Sequence, residues 1–310
     1  MIHLPDLGGV ACKRIHSGGS AADHLRTGKT PLSAGFLTVA VICAVLANVF
    51  YYGAYRLTTE RVKTVPVTKK KGRFLQTVRG LLKNRPLLGL MLASFGFLVS
   101  FMTVNAITPY LFKDYFKAPN LIAVSGLIGL GSSFIAMPIL SPLVKRLGKK
   151  ETAVIGLIIA FASNALMFLL PITSPYVYMA LNCAAGFGLA FLNILIWAMV
   201  SDCIDYQERL TGRREEGTVY SVYSLVRKIG QAAAGGLGGF ALISVGYNSG
   251  LPAQSDAVAH GIKSIITLVP AAGSLLALVS LLWVYNLTKN RVGQLNEQLS
   301  EQRALGPVER

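Results

Sequence analysis

The chain has 310 residues, of which 53% are hydrophobic and only 14% are charged, and its mean hydropathy is +0.52. These values lie outside the usual range of soluble globular domains and indicate a protein surrounded by lipid. The net charge of +16 does not indicate nucleic-acid binding, because Lys and Arg occur in short clusters between apolar segments. Neither the cysteines nor the histidines show metal-ligand spacing, so we expect no metal site.

Seven apolar segments are long enough to cross a bilayer, whose hydrocarbon core of about 30 Å needs about 20 helical residues. The sequence therefore predicts an all-α membrane protein with about seven transmembrane helices. The predicted spans are 33–55, 87–112, 121–144, 152–170, 176–201, 219–245 and 261–285.

The distribution of basic residues predicts the orientation of these spans. If residues 57–86 are cytoplasmic, more than two thirds of the 30 Lys and Arg residues lie on that side, as the positive-inside rule requires. The polar tail 288–310 is then cytoplasmic as well, and we expect a location in the cytoplasmic (inner) membrane. Residues 1–31 contain no spanning segment and no signal peptide, which indicates a disordered polar segment unless the true protein begins elsewhere.

A long ordered motif begins near the end of the fifth span. It reads WAMVSDCIDYQE over 197–208 and TGRREEG over 211–217, and Tyr220-Ser221 and Lys228-Ile-Gly230 follow it. In this order the motif resembles the glycoside, pentoside and hexuronide cation symporter family of the major facilitator superfamily.

The resemblance implies a fold made of two six-helix bundles joined by a long basic cytoplasmic loop. Residues 32–56 would then be the sixth helix, 57–86 the central loop and 87–287 the C-terminal bundle. Helices one to five would be missing, so the resemblance also implies a partner N-terminal bundle. It further implies a sugar or glycoside substrate and a coupling ion, H⁺, Na⁺ or Li⁺, whose carboxylate ligands are not in this chain.

The sixth predicted span contains a polar face with a lysine in its middle. Lys228 lies about 14 Å into this helix, near the bilayer midplane, where a charge is costly unless it borders a polar cavity. Ser221, Ser224 and Gln231 share its face by spacing. We expect this face to line a central cavity, although Lys228 could instead bond a neighbouring helix and the serines could serve helix packing.

Two further helices offer polar side chains for a sugar. By helical spacing, one face of the fifth span is made of Asn182, Gly186, Asn193 and Trp197. Amides beside an indole suit sugar hydroxyls and a sugar C–H face. The resemblance implies that Trp197 and Lys228 border the sugar site, but Trp197 could also be an interfacial residue. On the second span, Asn105 could line the same cavity or make only interhelical bonds.

Charged residues crowd the cytoplasmic end of the fifth span. Asp202 and Asp205 lie three residues apart and so share one helix face. We predict that they close a cytoplasmic gate through ion pairs; a coupling-ion site or solvated charges are the alternatives. The expected basic partners are Arg209, Arg213, Arg214 and Arg227.

The favoured function is a truncated sugar:cation symporter that works by alternating access and is inactive as an isolated fragment. One alternative is a Mg²⁺-dependent prenyltransferase-type membrane enzyme that uses Asp202 and Asp205, which would need a second acidic motif that the sequence lacks. Another alternative is a membrane scaffold that does not transport. The resemblance favours a transporter and not an enzyme.

Overall fold

The computed structural model describes residues 31–58, 80–81, 83–212, 214–251 and 253–304. Every regular element within these ranges is helical. All of the predicted polar segment 1–31 except Pro31, which begins a helix, and most of the predicted central loop 57–86 lie outside the described residues. The chain divides into two compact units, Met1–Lys69 and Lys70–Arg310.

The described part of the first unit is a single helix, α1, which spans Pro31–Leu57. Its apolar side chains are exposed along its length, including Leu37, Val45 and Tyr55. A helix that is apolar all round and has no polar face is suited to a lipid environment. This element corresponds to the first predicted span.

The second unit contains seven α-helices among its described residues. Short π-helical turns extend two of them, and a short 3₁₀ turn precedes a third. The helices are α2 (Arg85–Tyr110, extended by the turn Leu111–Tyr115), α3 (Ile122–Leu147, after the turn Pro119–Leu121), α4 (Lys149–Leu169), α5 (Pro175–Thr211), α6 (Glu216–Ser244), α7 (Asp256–Val279, extended by Ser280–Val284) and α8 (Lys289–Ala304).

Six of the described helices, α1 to α5 and α7, are long and apolar enough to cross a membrane. The sixth predicted span, 219–245, forms α6, which has 29 residues but a lower hydropathy. Its Ser221, Ser224, Arg227, Lys228 and Gln231 account for that difference. All seven predicted helices are therefore present in the described residues. The most polar of them, α6, is long enough to cross a membrane but is less apolar than the other six.

The fifth span is longer than the sequence predicted. Helix α5 has 37 residues, or about 55 Å of helix, and continues ten residues beyond the predicted end at 201. No Pro or Gly interrupts its polar extension. It ends where Gly212 adopts a left-handed conformation, with φ of 67°, and its N–H bonds the carbonyl of Glu208, a common helix C-cap.

Two glycines bring α4 and α5 into close contact. A Cβ atom on Gly156 of α4 would clash with the carbonyl oxygen of Gly188, and one on Gly188 would clash with the carbonyl oxygen of Gly156. Gly188 also faces Ala160, one turn further along α4. Small residues at such contacts let membrane helices approach closely. Helices α4 and α5 are therefore in close contact at these two glycines.

Long-range hydrogen bonds define the two ends of the second unit. At one end, Asn84 Nδ2 donates to the carbonyl of Cys203 at 3.0 Å, and Lys289 Nζ donates to the carbonyl of Lys145 at 2.7 Å. At the other end, Lys263 Nζ donates to the carbonyl of Leu170 at 2.7 Å. The first end holds the α3–α4 turn, the α5–α6 loop and α8, which are the segments predicted to be cytoplasmic.

Candidate functional site

A cavity of about 390 Å³ lies between α2, α3 and α5 and reaches one residue of α4. Its volume falls within the range of about 300–1,000 Å³ that is usual for small-molecule sites. Amide and hydroxyl side chains from all four helices line it. These are Asn105, Thr108, Ser125, Ser133, Asn164, Asn182 and Asn193.

The structure brings several of the sequence-predicted residues together in this cavity. Asn193 of α5 and Asn105 of α2 both line it, as do Asn182 and Gly186. Three of the four residues that the helical spacing placed on one face of α5 therefore line this cavity. Asn105 also donates from Nδ2 to the carbonyl of Phe101 at 2.7 Å, which leaves its amide oxygen available to a ligand.

Asn164 is a cavity residue that the sequence did not reveal. Its side chain is 1% exposed, and its Nδ2 donates to the carbonyl of Ala160 at 2.8 Å. Its Oδ1 is buried without a hydrogen-bond partner among the described residues. A buried polar atom without a partner is costly, so this oxygen is suited to accept a hydrogen bond from a ligand group in the cavity. A lone Asn in an apolar segment gave only a weak signal.

An aromatic surface forms another part of the cavity wall. Phe97 and Phe101 of α2 both line it, and their rings stack with centroids 5.8 Å apart and planes 16° apart. Aromatic faces beside amides provide an apolar contact and hydrogen bonds in one site. The sequence predicted that Trp197 would provide this aromatic surface, but Phe97 and Phe101 line the cavity in the structure and Trp197 does not.

Trp197 lies outside the lining of this cavity, in a cluster with α6. Its ring stacks on Tyr220 at 5.9 Å and meets Tyr223 edge-on at 5.9 Å. The guanidinium carbon of Arg227 lies 5.0 Å from the centre of the indole ring. The prediction that Arg227 joins a carboxylate gate is therefore wrong within the described residues, because the guanidinium stacks on aromatic faces instead.

Lys228 and its polar neighbours on α6 also lie outside the lining of the cavity. Helix α6 packs on α2 through its buried residues Tyr223, Gly230 and Gly238. Lys228 lies on another side and is exposed, while Ser224 and Gln231 are half-buried. The residues predicted to line one cavity therefore lie in two regions of the structure. Except for Trp197, those of α2 and α5 line the asparagine-lined cavity, and those of α6 lie on the exposed polar face of that helix.

Asp202 and Asp205 form ion pairs at the end of α5, but one partner differs from the prediction. Asp202 is 6% exposed and pairs with Lys149 at 2.7 Å. Lys149 begins α4, directly after the turn at Gly148, so the pair joins the start of α4 to the C-terminal part of α5. Arg209 forms no ion pair in the described part of the chain, and Arg213 lies outside it.

Arg214 forms the centre of the second ion-pair group, as the sequence predicted. Its guanidinium bonds Asp205 at 2.8 Å, Glu208 at 2.9 Å and also Glu216. Partial burial alone would lower the pKa of Arg214, but the hydrogen bonds to Glu216, Asp205 and Glu208 raise it overall. Arg214 therefore stays protonated and joins the end of α5 to the start of α6.

The comparison with known proteins gives the family. Residues 21–289 match the family described as MFS/sugar transport protein. The chain belongs to this family. It is therefore a multi-pass membrane protein of the major facilitator superfamily, in agreement with its apolar helices and with the resemblance found in the motif over 197–230.

Curated relatives of this family member include proteins named as symporters, importers, exporters and carriers. A putative sulfoquinovose importer of Salmonella typhimurium (strain LT2) is 33% identical over 275 residues, which are 88% of this chain and 58% of that protein. The uncharacterized symporter YjmB of Bacillus subtilis (strain 168) is 33% identical over 86% of this chain and 58% of its own. A glucuronide carrier protein homolog of Escherichia coli (strain K12) is 30% identical over 85% and 57%.

The chain thus spans less than two thirds of the length of these relatives. Family and relatives are transporters, not enzymes, so the prenyltransferase alternative is not favoured. The two carboxylates that this alternative would use already have cationic partners, since Asp202 pairs with Lys149 and Asp205 pairs with Arg214.

Proposed function

We propose that the chain is the C-terminal part of a sugar:cation symporter and that its asparagine-lined cavity binds the sugar. The cavity itself is the observation that supports this proposal most strongly. Four Asn side chains offer donors and acceptors to sugar hydroxyls, and two stacked Phe rings offer a surface to the sugar C–H face.

Transport would proceed by alternating access between two bundles around a midplane site. In this proposal an N-terminal bundle completes the cavity and contacts the exposed polar face of α6. Lys228 then borders the wet space between the bundles, which would explain a charged side chain in the middle of a membrane helix. The chain by itself would not transport.

The coupling ion, H⁺, Na⁺ or Li⁺, would bind carboxylates supplied by the N-terminal bundle. Buried carboxylates near the midplane are the usual ligands for such ions. In the described helices the acidic side chains of α5 lie near its end and pair with Lys149 and Arg214. These pairs are suited to closing the cytoplasmic side of the pathway, because they join α4, α5 and the start of α6.

We also propose that the protein resides in the cytoplasmic membrane with α8 in the cytoplasm. Basic residues accumulate at the end of the second unit that holds the α3–α4 turn and α8, among them Lys145, Lys149 and Lys289. The positive-inside rule assigns such an end to the cytoplasm.

Uptake of labelled sugars tests this proposal in cells that lack their own sugar transporters. The chain is expressed alone and together with the N-terminal bundle of a relative, and the sugars include a glucuronide, a pentoside and a neutral glycoside. We expect uptake only with both parts, and we expect an ionophore to abolish it. No uptake of any sugar in either case would refute the symporter, and uptake by the chain alone would refute the need for a second bundle.

A further inference from the structure

A second, smaller cavity lies between the last turns of α5 and the amphipathic helix α8. Its volume is about 180 Å³, and we call it the basic cleft. Two arginines, a tyrosine and three side-chain amides dominate its lining. These residues are Tyr206, Arg209, Asn286, Arg291, Gln294 and Gln298.

The two charged side chains of the basic cleft, Arg209 and Arg291, are both cationic, and neither forms an ion pair within the described residues. In the described part of the chain Arg209 forms no ion pair, and Arg291 Nη1 makes only a long bond of 3.4 Å to the carbonyl of Asn286. At the same end of the bundle, Asp202 pairs with Lys149, and Arg214 pairs with three other carboxylates. Two like charges at one cleft repel each other unless an anion lies between them.

Packed helices form the floor of the cleft, and its two arginines are exposed at its rim. Leu295 and Leu299 of α8 are 2% and 3% exposed, so the apolar face of this helix is buried against the bundle. That packing places Arg291 of α8 and Arg209 of α5 in the lining of one cleft. Asn286, at the start of the connection to α8, has an Oδ1 atom without a hydrogen-bond partner among the described residues.

We propose that the basic cleft binds a phosphate ester of a small polyol. The two guanidinium groups would bind the phosphate oxygens, because Arg forms paired charge-assisted bonds with phosphate. Asn286 would accept a bond from a hydroxyl of the same ligand. A volume of about 180 Å³ is below the range of ordinary ligand sites, which favours a head group over a second sugar site.

Two sources offer this chemistry, a phospholipid head group and a free phosphate ester. Basic residues on amphipathic helices at the membrane surface bind anionic lipids, so phosphatidylglycerol represents the first source. Glycerol 3-phosphate represents the second source. Both contain a glycerol hydroxyl and a phosphate.

The test uses the whole chain in nanodiscs of phosphatidylcholine with a small fraction of phosphatidylglycerol. Native mass spectrometry after release into detergent counts the retained phosphatidylglycerol, and calorimetry measures binding of glycerol 3-phosphate. The variants are Arg209→Gln with Arg291→Gln, the charge-conserving Arg209→Lys with Arg291→Lys, and the matched control Arg146→Gln. Arg146 is an exposed basic residue at the same end of the bundle and does not line the cleft.

We expect the double Gln variant to reduce binding of one of the two ligands by about tenfold or more, as for lost bonds to charged groups. Arg146→Gln should bind as the unmodified chain does, and the double Lys variant should retain intermediate binding. Retention of phosphatidylglycerol would identify the lipid as the source, and binding of glycerol 3-phosphate alone would identify the free ester. Binding of neither ligand, or equal losses in the double Gln variant and Arg146→Gln, would overturn the proposal.

Discussion

Asn164 combines near-complete burial with an amide oxygen that has no partner in the described residues. If the sugar occupies the cavity, this oxygen accepts a hydrogen bond from one of its hydroxyl groups. Replacing Asn164 by Leu keeps a similar volume but removes the acceptor, so sugar affinity should fall by about fivefold, the equivalent of one hydrogen bond of about 1 kcal/mol. Equilibrium dialysis with labelled sugar measures the change.

The control for this prediction is Asn164→Asp, which keeps an acceptor oxygen at the same position. Its affinity for the sugar should exceed that of Asn164→Leu. Equal affinity in the unmodified chain and the Leu variant would show that Asn164 makes no contact with the sugar.

Lys228 gives a second prediction at the residue scale. If it borders the wet space between two bundles, Lys228→Ala in the chain expressed with the N-terminal bundle of a relative should abolish coupled sugar uptake and leave membrane insertion intact. Lys145→Ala is the matched control, because Lys145 is exposed and lies at the end of α3. Unchanged uptake in Lys228→Ala, measured at equal membrane levels, would contradict the assignment.

Single residues were predictable from the sequence where helical spacing decides their position. Asn105 and Asn193 face one cavity as predicted, and Asp205 pairs with Arg214. The partner of Asp202 was not predictable, because Lys149 lies 53 positions earlier and only packing of α4 on α5 brings it close. The contact of Arg227 with the Trp197 ring was not predictable for a similar reason, because Trp197 lies on another helix.

The contact between α4 and α5 gives a prediction at the scale of the helices. A Cβ on Gly156 would meet the carbonyl oxygen of Gly188 and lie 2.6 Å from Cβ of Phe191. Gly156→Ala should therefore destabilise the bundle by about 1–3 kcal/mol, as expected for overpacking. Unfolding in a denaturing detergent, followed by circular dichroism, measures this loss.

Gly235→Ala on α6 is the matched control for that experiment. A Cβ on Gly235 meets no atom within 4 Å, and both changes bring the same gain in helix propensity, about 0.5–1 kcal/mol. The difference between the two variants therefore reports the α4–α5 contact. Equal stabilities would show that the helices are not in close contact at Gly156.

The helices themselves were largely predictable, because about 20 consecutive apolar residues leave few alternatives to a span. Two features were not. The extension of α5 to Thr211 is polar, so hydropathy gave no sign of it. The tail helix α8 is polar overall, and the burial of Leu295 and Leu299 depends on its contact with the bundle.

The orientation of the molecule can be tested with two single-cysteine variants on a background without the native cysteines. Ser300 on α8 is exposed at one end of the second unit, and Asn120 is exposed near the start of α3 at the other. In intact cells a membrane-impermeant thiol reagent should label Asn120→Cys but not Ser300→Cys, which should react only after permeabilisation. The reverse pattern would contradict the positive-inside assignment.

At the scale of the whole molecule, sequence motifs gave the family, and the match over residues 21–289 agrees with it. The exact composition of the cavity could not be predicted, because it depends on how four helices meet. Phe97, Phe101 and Asn164 lie on α2 and α4, and their sequence neighbours gave no sign that they share one wall with α5.

The central claim is that this chain's own asparagine-lined cavity binds the sugar. The most direct test is the sugar dissociation constant of the purified chain in nanodiscs, compared with that of Asn193→Leu and of Asn290→Leu, an identical change on exposed α8. We expect a sugar affinity lower by about tenfold for Asn193→Leu, since a buried sugar hydroxyl loses its partner, and no change for Asn290→Leu. A sugar that binds with equal affinity to all three proteins would contradict it.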